Sequence, residues 1–298
     1  MTANVLNAVV ALSTVRNNNL SDTNLTYNSR VNFKGGNFEL YVKDILTGNF
    51  YYNDKEREAA YKKHFSYVGS QNKAVDAIAK FGDAFEILKV ESGIGTRSAG
   101  KLALNNSPPK DVLHKYDPRL RRDVKEIDGG EWTEKDIFYV VGAISEHKIK
   151  RLYFVQGKCY AAKEEIYSKV FEDVKNRVEE TVKNSGLEFQ PTKELGRIYH
   201  IDPLEITDFR LRGMWEIRNP LDVFRQYSVN EEDFDFLCLA IMEEEKFLDL
   251  LSLRKAEAGD FLQDIGGNKL VTLDRIQIKD PNNPNNLKKA VLIKVSWE

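Results

Sequence analysis

Cysteine and histidine are scarce in this chain. Its 298 residues include two cysteines, Cys159 and Cys238, and four histidines, His64, His114, His147 and His200. The cysteines stand far apart with no second pair, so neither a disulfide framework nor a structural zinc site is expected, and a reducing, cytoplasmic setting fits best. The histidines occur singly, without metal-ligand spacing, and read as packing or surface residues. No apolar run approaches the roughly 18 residues of a membrane-spanning helix. Residues 1–16 are partly apolar but lack a basic lead and are broken by Asn7, so they read as a folded helix and not as a secretory signal. Phosphate-loop, GxSxG and CxxC motifs are missing too, and Gly93-Ile94-Gly95 has no lysine–hydroxyl pair after it. Charge of one sign is also lacking. The 44 Lys+Arg against 46 Asp+Glu leave a net charge of −2, so any surface for nucleic acid must be local.

What the chain has is a globular composition, 42% hydrophobic and 30% charged, which argues against global disorder. Breaker clusters at 17–19, 105–109, 129–130 and 281–286 are too short for flexible linkers, so residues 1–298 read as a single domain. The N-terminal part reads as helical. Phe38, Tyr41, Val42, Ile45 and Leu46 form a stripe closed by Gly48, and a charged helix follows over 54–64. Residues 74–79 and 84–90, split by Lys80-Phe81-Gly82-Asp83, read as a hairpin. Residues 136–144 and 151–156, rich in β-branched and aromatic side chains, read as buried strands. A helix is expected over 163–183, with Ile166, Val170, Val174 and Val178 on one stripe. Alternation predicts a strand over 206–217, and a bulky apolar face among acids predicts a helix over 231–251. Residues 270–278 and 290–297, joined by an Asn/Pro-rich turn, predict a terminal hairpin. This order predicts an α/β fold with a mixed central β-sheet flanked by helices.

The first hairpin carries the most informative chemistry. With its turn centred on Phe81, Asp76 lies opposite Glu86, and directly opposed residues have Cβ atoms about 4.5–5.5 Å apart on one face. Both acids stand in otherwise apolar strands, AVDAIA and AFEILKV, where an unpaired carboxylate is costly. Two converging carboxylates need a cation to offset their repulsion. A hard divalent ion held by one or two carboxylates, with water and phosphate oxygens completing its shell, is the magnesium arrangement. Such an ion would lower the pKa of bound water and stabilise charge on a phosphate under attack. The competing reading is a surface hairpin with two solvated acids.

Asp76, Glu86 and Lys89 together resemble the PD-(D/E)xK nuclease motif. Longer blocks are similar to the NgoPII-type restriction endonucleases. These are Gly82-Asp83-Ala84-Phe85-Glu86, Ala103-Leu104-Asn105-Asn106-Ser107 with Pro109-Lys110, and Lys135-Asp136-Ile137-Phe138-Tyr139-Val140-Val141-Gly142. Gly157-Lys158-Cys159-Tyr160-Ala161-Ala162 and Asp202-Pro203-Leu204-Glu205-Ile206-Thr207 with Arg212-Gly213-Met214-Trp215 complete the set. The blocks run in order from about residue 36 to 220, the expected nuclease core. Residues 221–298 are expected as a C-terminal helix and β-hairpin elaboration. The resemblance implies a PD-(D/E)xK core and a type II restriction endonuclease that cuts both strands of a short palindromic DNA site with magnesium, and it suggests GGCC. It also implies Asp76 and Glu86 as metal ligands and Lys89 as the residue that orients the attacking water. A homodimer is expected, because a two-fold protein matches a palindrome.

Two departures from the motif matter. Val75 stands where a proline is usual, and Glu86-Ile87-Leu88-Lys89 is one residue longer than Glu-x-Lys. Period-two geometry puts Leu88, not Lys89, on the face of Glu86. Either a β-bulge re-aims Lys89, or another lysine such as Lys110 serves. Glu39 borders the Phe38/Val42/Ile45 stripe and is a further candidate metal ligand; the alternative is an ordinary first-turn glutamate. Arg210 and Arg212 share one strand face and are candidate readers of guanine in the major groove, against a solvated face paired with Asp208. Asn105, Ser107 and Lys110 lie in a polar loop suited to DNA phosphate or base-edge contacts. A repair or structure-selective nuclease on the same core, and a non-catalytic DNA-binding protein, are the alternatives to a restriction enzyme.

Overall fold

The computed structural model describes residues 2–20, 30–51, 53–69, 75–91, 100–105, 107–192, 194–228 and 234–298. The glycine pair at 93 and 95, residue 74 and residues 231–233, all used in the sequence reading, lie outside the described residues, as does the side chain of Asn105. Helices α1 (Val5–Val15), α2 (Arg30–Leu46) and the charged α3 (Asp54–His64) precede the first strand. Later helices are α4 (Arg122–Lys125), α5 (Glu164–Asn184), α6 (Pro220–Val223), α7 (Glu244–Glu257) and α8 (Phe261–Ile265). Asn4 and Asn53 cap α1 and α3 with side-chain oxygens, satisfying backbone donors that the first helical turn leaves open.

The strands are β1 (Phe65–Val68), β2 (Ala77–Ala79), β3 (Ala84–Glu91), β4 (Lys101–Asn105), β5 (Val112–His114), β6 (Glu134–Ser145) and β7 (Lys148–Gln156). They continue with β8 (Phe189–Gln190), β9 (Gly196–Ile198), β10 (Phe209–Leu211), β11 (Trp215–Arg218), β12 (Phe236–Glu243), β13 (Val271–Asp280) and β14 (Asn283–Trp297). Among the described residues the central sheet runs β1-β2-β3-β6-β7-β12-β14-β13, with β5 paired to the start of β6. The β3–β6 and β7–β12 pairs are parallel and the others antiparallel. This is the mixed sheet expected from the sequence, and β13–β14 is the expected C-terminal hairpin, joined to the sheet through β12.

Strand alternation divides the core between two faces. Phe85, Ile87, Phe138, Val140, Phe154 and Ala240 pack with Leu6 of α1, Phe38 and Val42 of α2, Phe247 of α7 and Phe261 of α8. Ala84, Tyr139, Val141, Val155 and Leu239 point the other way, toward Leu104 of β4, Leu113 of β5, Leu120 and Phe224. Each large apolar side chain so buried contributes roughly 1.5–3 kcal/mol relative to exposure, so the same sheet anchors helices on one side and loops on the other. At Gly142 of β6 a Cβ would lie 2.3 Å from Phe38 Cζ. Glycine there lets α2 settle against the sheet, and Glu39 comes with it.

Four details depart from the sequence reading. Residues 206–217 are not one strand. β10 pairs with β9 in a small sheet, and β11 pairs with β4 in another. Alternation recorded both halves but not the break at Gly213, where the chain changes partners and a Cβ would meet the ring of Phe171. Within 231–251, the described residues up to Glu243 form β12 and not a helix. The uninterrupted run Phe236–Met242 is buried on both faces between β7 and β14, and doubly covered strands are continuously apolar rather than alternating. The helix begins only at Glu244, with Glu244 and Glu245 in its first turn, where acids suit the dipole. The C-terminal turn is confined to Pro281 and Asn282, since the Asn/Pro-rich segment is already strand from Asn283. Finally, α5 forms as expected, but Ile166, Val170 and Val174 of its stripe face outward at 45%, 53% and 44% exposure. Its packed side is the neighbouring one, where the Tyr167 ring lies edge-on to Trp215 and Phe171 meets Gly213.

Candidate active site

The β2–β3 hairpin has the register expected from a turn at Phe81. Ala77 pairs with Phe85 and Ile78 with Ala84, and Phe81 takes a left-handed φ of 52°. Asp76 immediately precedes β2 and extends this ladder, its N–H donating to the Phe85 carbonyl at 3.1 Å. Its Oδ2 accepts the Ile87 N–H at 2.6 Å. Glu86 shares the sheet face of Ala84 and Leu88, beside Tyr139 in the β3–β6 register. Burial is the largest cause of an upward shift at both acids. At Asp76 the Ile87 hydrogen bond opposes it and Glu39 adds to it; at Glu86 the nearby Asp76 adds to it. Asp76 is carried up to about 6 and Glu86 to about 8. Two acids so placed repel one another and gain from a cation.

Two cations act on Glu86, Lys110 from the loop between β4 and β5 and Arg119 from the segment after β5. The Tyr139 hydroxyl accepts the Lys110 N–H at 2.6 Å and donates to the Lys110 carbonyl at 3.1 Å. These two bonds tie the Lys110 backbone to the hydroxyl of Tyr139, the residue that pairs with Glu86 in the β3–β6 register. The Lys110 Nζ donates to Oδ2 of Asp117. Asp117 also accepts Arg119 Nε at 3.0 Å and Nη2 at 2.8 Å, and the Arg119 backbone N–H at 2.9 Å. Burial alone would raise the Asp117 carboxyl, but the Arg119 and Lys110 bonds and charges prevail and hold it well below the usual carboxylate range. Lys110 is pushed down, chiefly by burial and then by Arg119, against the pull of Asp117. Both Lys110 and Arg119 lower the Glu86 carboxyl electrostatically, and at Asp76 the cation that does so is Lys43.

The other sequence candidates fall as follows. β3 runs against β6 in unbroken register from Ala84 to Glu91, without a bulge to turn Lys89 toward Glu86. Lys89 therefore shares the face of Phe85 and Ile87, opposite to Glu86. Glu39 lies near enough to Asp76 to affect its charge, but it pairs with Lys43 at 3.4 Å. Among the described residues no three acid, histidine or cysteine side chains are grouped to hold a metal. Two carboxylates remain, and magnesium needs no more than one or two from the protein. Ser107 turns back on its own loop, its hydroxyl 3.3 Å from the Pro108 carbonyl.

Arg210 and Arg212 are together, but not with Asp208. Arg210 donates Nε and Nη2 to Glu194 at 2.6 and 2.8 Å, and Arg212 donates Nε to the same carboxylate at 3.0 Å. Asp208 lies instead 3.9 Å from Arg197. Both guanidinium groups are half-exposed, on a surface strand that β11 and β4 connect to the Lys110 loop. A cavity of about 530 Å³ opens elsewhere, lined by Asp83, Asp128, Trp132, Lys135, Asp136 and Lys246 but not by Asp76 or Glu86. Lys246 bridges Asp83 and Asp136 there and Lys135 holds Asp128, while Glu131 and Asp249 also line it.

With this geometry in view, the chain matches the family model described as NgoPII restriction endonuclease over residues 3–279. It is 40% identical over 268 residues to the type II restriction enzyme NgoPII of Neisseria gonorrhoeae, covering 89% of this chain and 90% of that one. The chain belongs to the NgoPII restriction endonuclease family. Its enzyme class is thereby the one expected from the sequence, a site-specific deoxyribonuclease. No solved structure matches it. Among the described residues, no helix of this endonuclease is long and apolar enough to cross a membrane.

Sequence reasoning missed three residues of the endonuclease's acidic cluster and one beside its arginines. Asp117 and Arg119 carry a local signal, an aspartate two residues before an arginine across Pro118 that folds an Asx-type turn. Nothing local in the sequence links that turn to Glu86. Tyr139 reads as an ordinary strand aromatic, and Glu194 belongs to no motif at all.

Proposed function

We propose that this endonuclease cuts both strands of a short palindromic DNA site by magnesium-dependent hydrolysis, as a cytoplasmic homodimer on a PD-(D/E)xK core. The observation that carries the reading is the cross-strand pair Asp76 and Glu86, half-buried and both raised, with Lys110 and Arg119 acting on Glu86. The donor chemistry fits the ion: two hard carboxylate oxygen sets whose mutual repulsion a dication relieves. When bound, magnesium would make water more acidic and stabilise charge on the phosphate. Asp76 and Glu86 would hold it, with Glu39 at most an outer partner through Lys43.

Lys110 is the better candidate than Lys89 for the lysine of the motif, because its charge acts on Glu86 while Lys89 lies on the opposite face of β3. Its role would be to orient the attacking water and stabilise developing negative charge. Arg210 and Arg212 are the proposed base readers, with Asn105 and Ser107 near the backbone. The suggested site is GGCC, on family resemblance. A plasmid digest with magnesium and with chelator, mapped by run-off sequencing, tests the reading. A discrete fragment ladder that chelator abolishes, and that Asp76→Ala and Glu86→Ala each lose while still binding DNA, is the expected result. Normal cutting by either variant ends the metal-site assignment. Cutting confined to branched or mismatched DNA would make it a repair nuclease instead.

A further inference from the structure

Arg119 is held in an unusual way. Its Nε and Nη2 are both committed to Asp117, at 3.0 and 2.8 Å, and its backbone N–H is tied to the same side chain. A guanidinium is planar, so two fixed nitrogens also fix the third. That third nitrogen, Nη1, is buried and has no hydrogen-bond partner among the described residues. A buried donor without an acceptor costs free energy, and more so when charged. Charge-assisted contacts to phosphate oxygen are the typical use of an arginine presented in this way. The neighbours of Arg119 are also those of the reaction: Lys110 shares its Asp117, and Glu86 feels its charge.

We propose that Arg119 is a catalytic residue whose Nη1 donates to a non-bridging oxygen of the scissile phosphate, with Asp117 aiming the guanidinium at it. This rests on the nuclease reading above and deepens it. It assigns the charge-stabilising role at the phosphate to a residue outside the Asp–Glu–Lys set. Asp117 then has two duties, holding Lys110 and orienting Arg119. A purely structural arginine would bond Asp117 equally well, but would have no reason to keep a fixed donor without an acceptor beside Lys110.

The test uses the full-length protein and a synthetic duplex spanning the position where the wild-type enzyme is mapped to cut plasmid DNA. Single-turnover cleavage is measured for wild type, Arg119→Ala and Arg119→Lys. The scissile phosphate is either unmodified or carries sulfur at one or the other non-bridging oxygen. Arg119→Ala should cut about 100-fold or more slowly, and Arg119→Lys, which keeps charge but not the fork, should recover only part of that. For one of the two sulfur diastereomers, the slowing seen with wild type should shrink toward none in both variants, because the contact that sulfur disturbs is already gone. Arg119→Lys carries this readout should Arg119→Ala fail to fold. A rate within about threefold of wild type for Arg119→Ala overturns the proposal. So does a slow variant in which both diastereomers keep their wild-type effects, since that is an arginine acting only through Asp117. A wild-type protein that cuts nothing would overturn the nuclease reading itself, which is a separate result.

Discussion

Asp117 and Glu194 each hold two cations, but Asp117 does so at 6% side-chain exposure beneath a loop, and Glu194 at 15% beneath two half-exposed arginines. At Asp117 the surrounding protein is core. Leu113 and Leu120 are buried nearby, and Tyr139 clamps the loop to the sheet. At Glu194 the shielding comes from the guanidinium groups themselves, on a small three-stranded sheet at the surface. The same ionic chemistry is therefore unscreened and rigid at one end and solvated and adjustable at the other. Rigid charge suits a site that must stabilise a transition state without rearranging. Adjustable charge suits one that must close around base edges.

The largest effect is expected at Asp117. Asp117→Asn leaves the largely buried Lys110 and the partly exposed Arg119 with reduced compensation, and breaking a buried pair typically costs about 3–5 kcal/mol. Denaturant melts should show that destabilisation, and cleavage should be lost because Lys110 and Arg119 both lose their anchor. Stability within about 1 kcal/mol of wild type would mean that the buried cluster is no stronger than a surface pair.

The arginine end is sharpened by DNA titration. If Arg210 and Arg212 read guanines, each change to Ala should cost about 1–3 kcal/mol on the cleaved sequence and far less on a scrambled duplex. If they touch only phosphates, both duplexes should weaken alike and the salt slope should shallow by about one unit per residue. Titrations at two salt concentrations separate the outcomes. Neither substitution should disturb the fold, since both side chains are half in solvent.

A smaller effect tests the burial of the acid pair. The Glu86 carboxyl is raised from 4.5 to about 8, so the folded chain holds its proton more tightly than the unfolded chain does. The stability linked to that proton is complete below the unfolded value and is lost as pH rises through the folded one. Glu86→Gln has no such proton to lose. In chelator, its stability relative to wild type should therefore grow between about pH 5 and pH 9, by on the order of 1–2 kcal/mol. Melting curves at three pH values across that window suffice. A difference that stays flat would place Glu86 in solvent and remove the pressure for a cation.

How much of this was legible in the sequence depended on how local each signal was. The Asp76–Glu86 opposition was readable because a hairpin turn fixes its own register, and Phe81 marked the turn. α1 and α3 were read as helices over 1–16 and 54–64, and α5 was readable from its periodicity. β12 was not, because a strand covered on both faces has no alternation and Phe236–Met242 resembles a buried helix segment equally well. The break at Gly213 was hidden because both halves of 206–217 keep the same parity while pairing with different strands. The Lys110–Asp117–Arg119 cluster depends on Tyr139 reaching across from β6, a contact that exists only once the sheet has formed. The Lys89 problem was visible as a one-residue excess after Glu86, and the unbroken β3–β6 register explains why that excess matters.

The smallest expected effect belongs to Glu194. Its carboxyl is held below the ordinary range chiefly by the Arg210 hydrogen bonds, against an opposing effect of burial and with the Arg210 and Arg212 charges and the Arg212 bond assisting. Glu194→Gln keeps an acceptor oxygen and removes the charge, so the melting temperature should move by no more than about 1 °C. DNA binding is the more sensitive readout, because Glu194 competes with DNA for both arginines. Arg212 is held through Nε alone, whereas Arg210 gives up Nη2 as well, so Arg210 has more to recover. Affinity for a scrambled duplex should rise about twofold at low salt and the gain should fade at high salt. The Arg210→Ala background should erase most of it, and the Arg212→Ala background should not. If Glu194→Gln instead weakens the cleaved sequence while tightening the scrambled one, Glu194 orients the arginines for reading rather than merely competing with DNA. The two ends of the molecule would then use their bridging carboxylates in the same way.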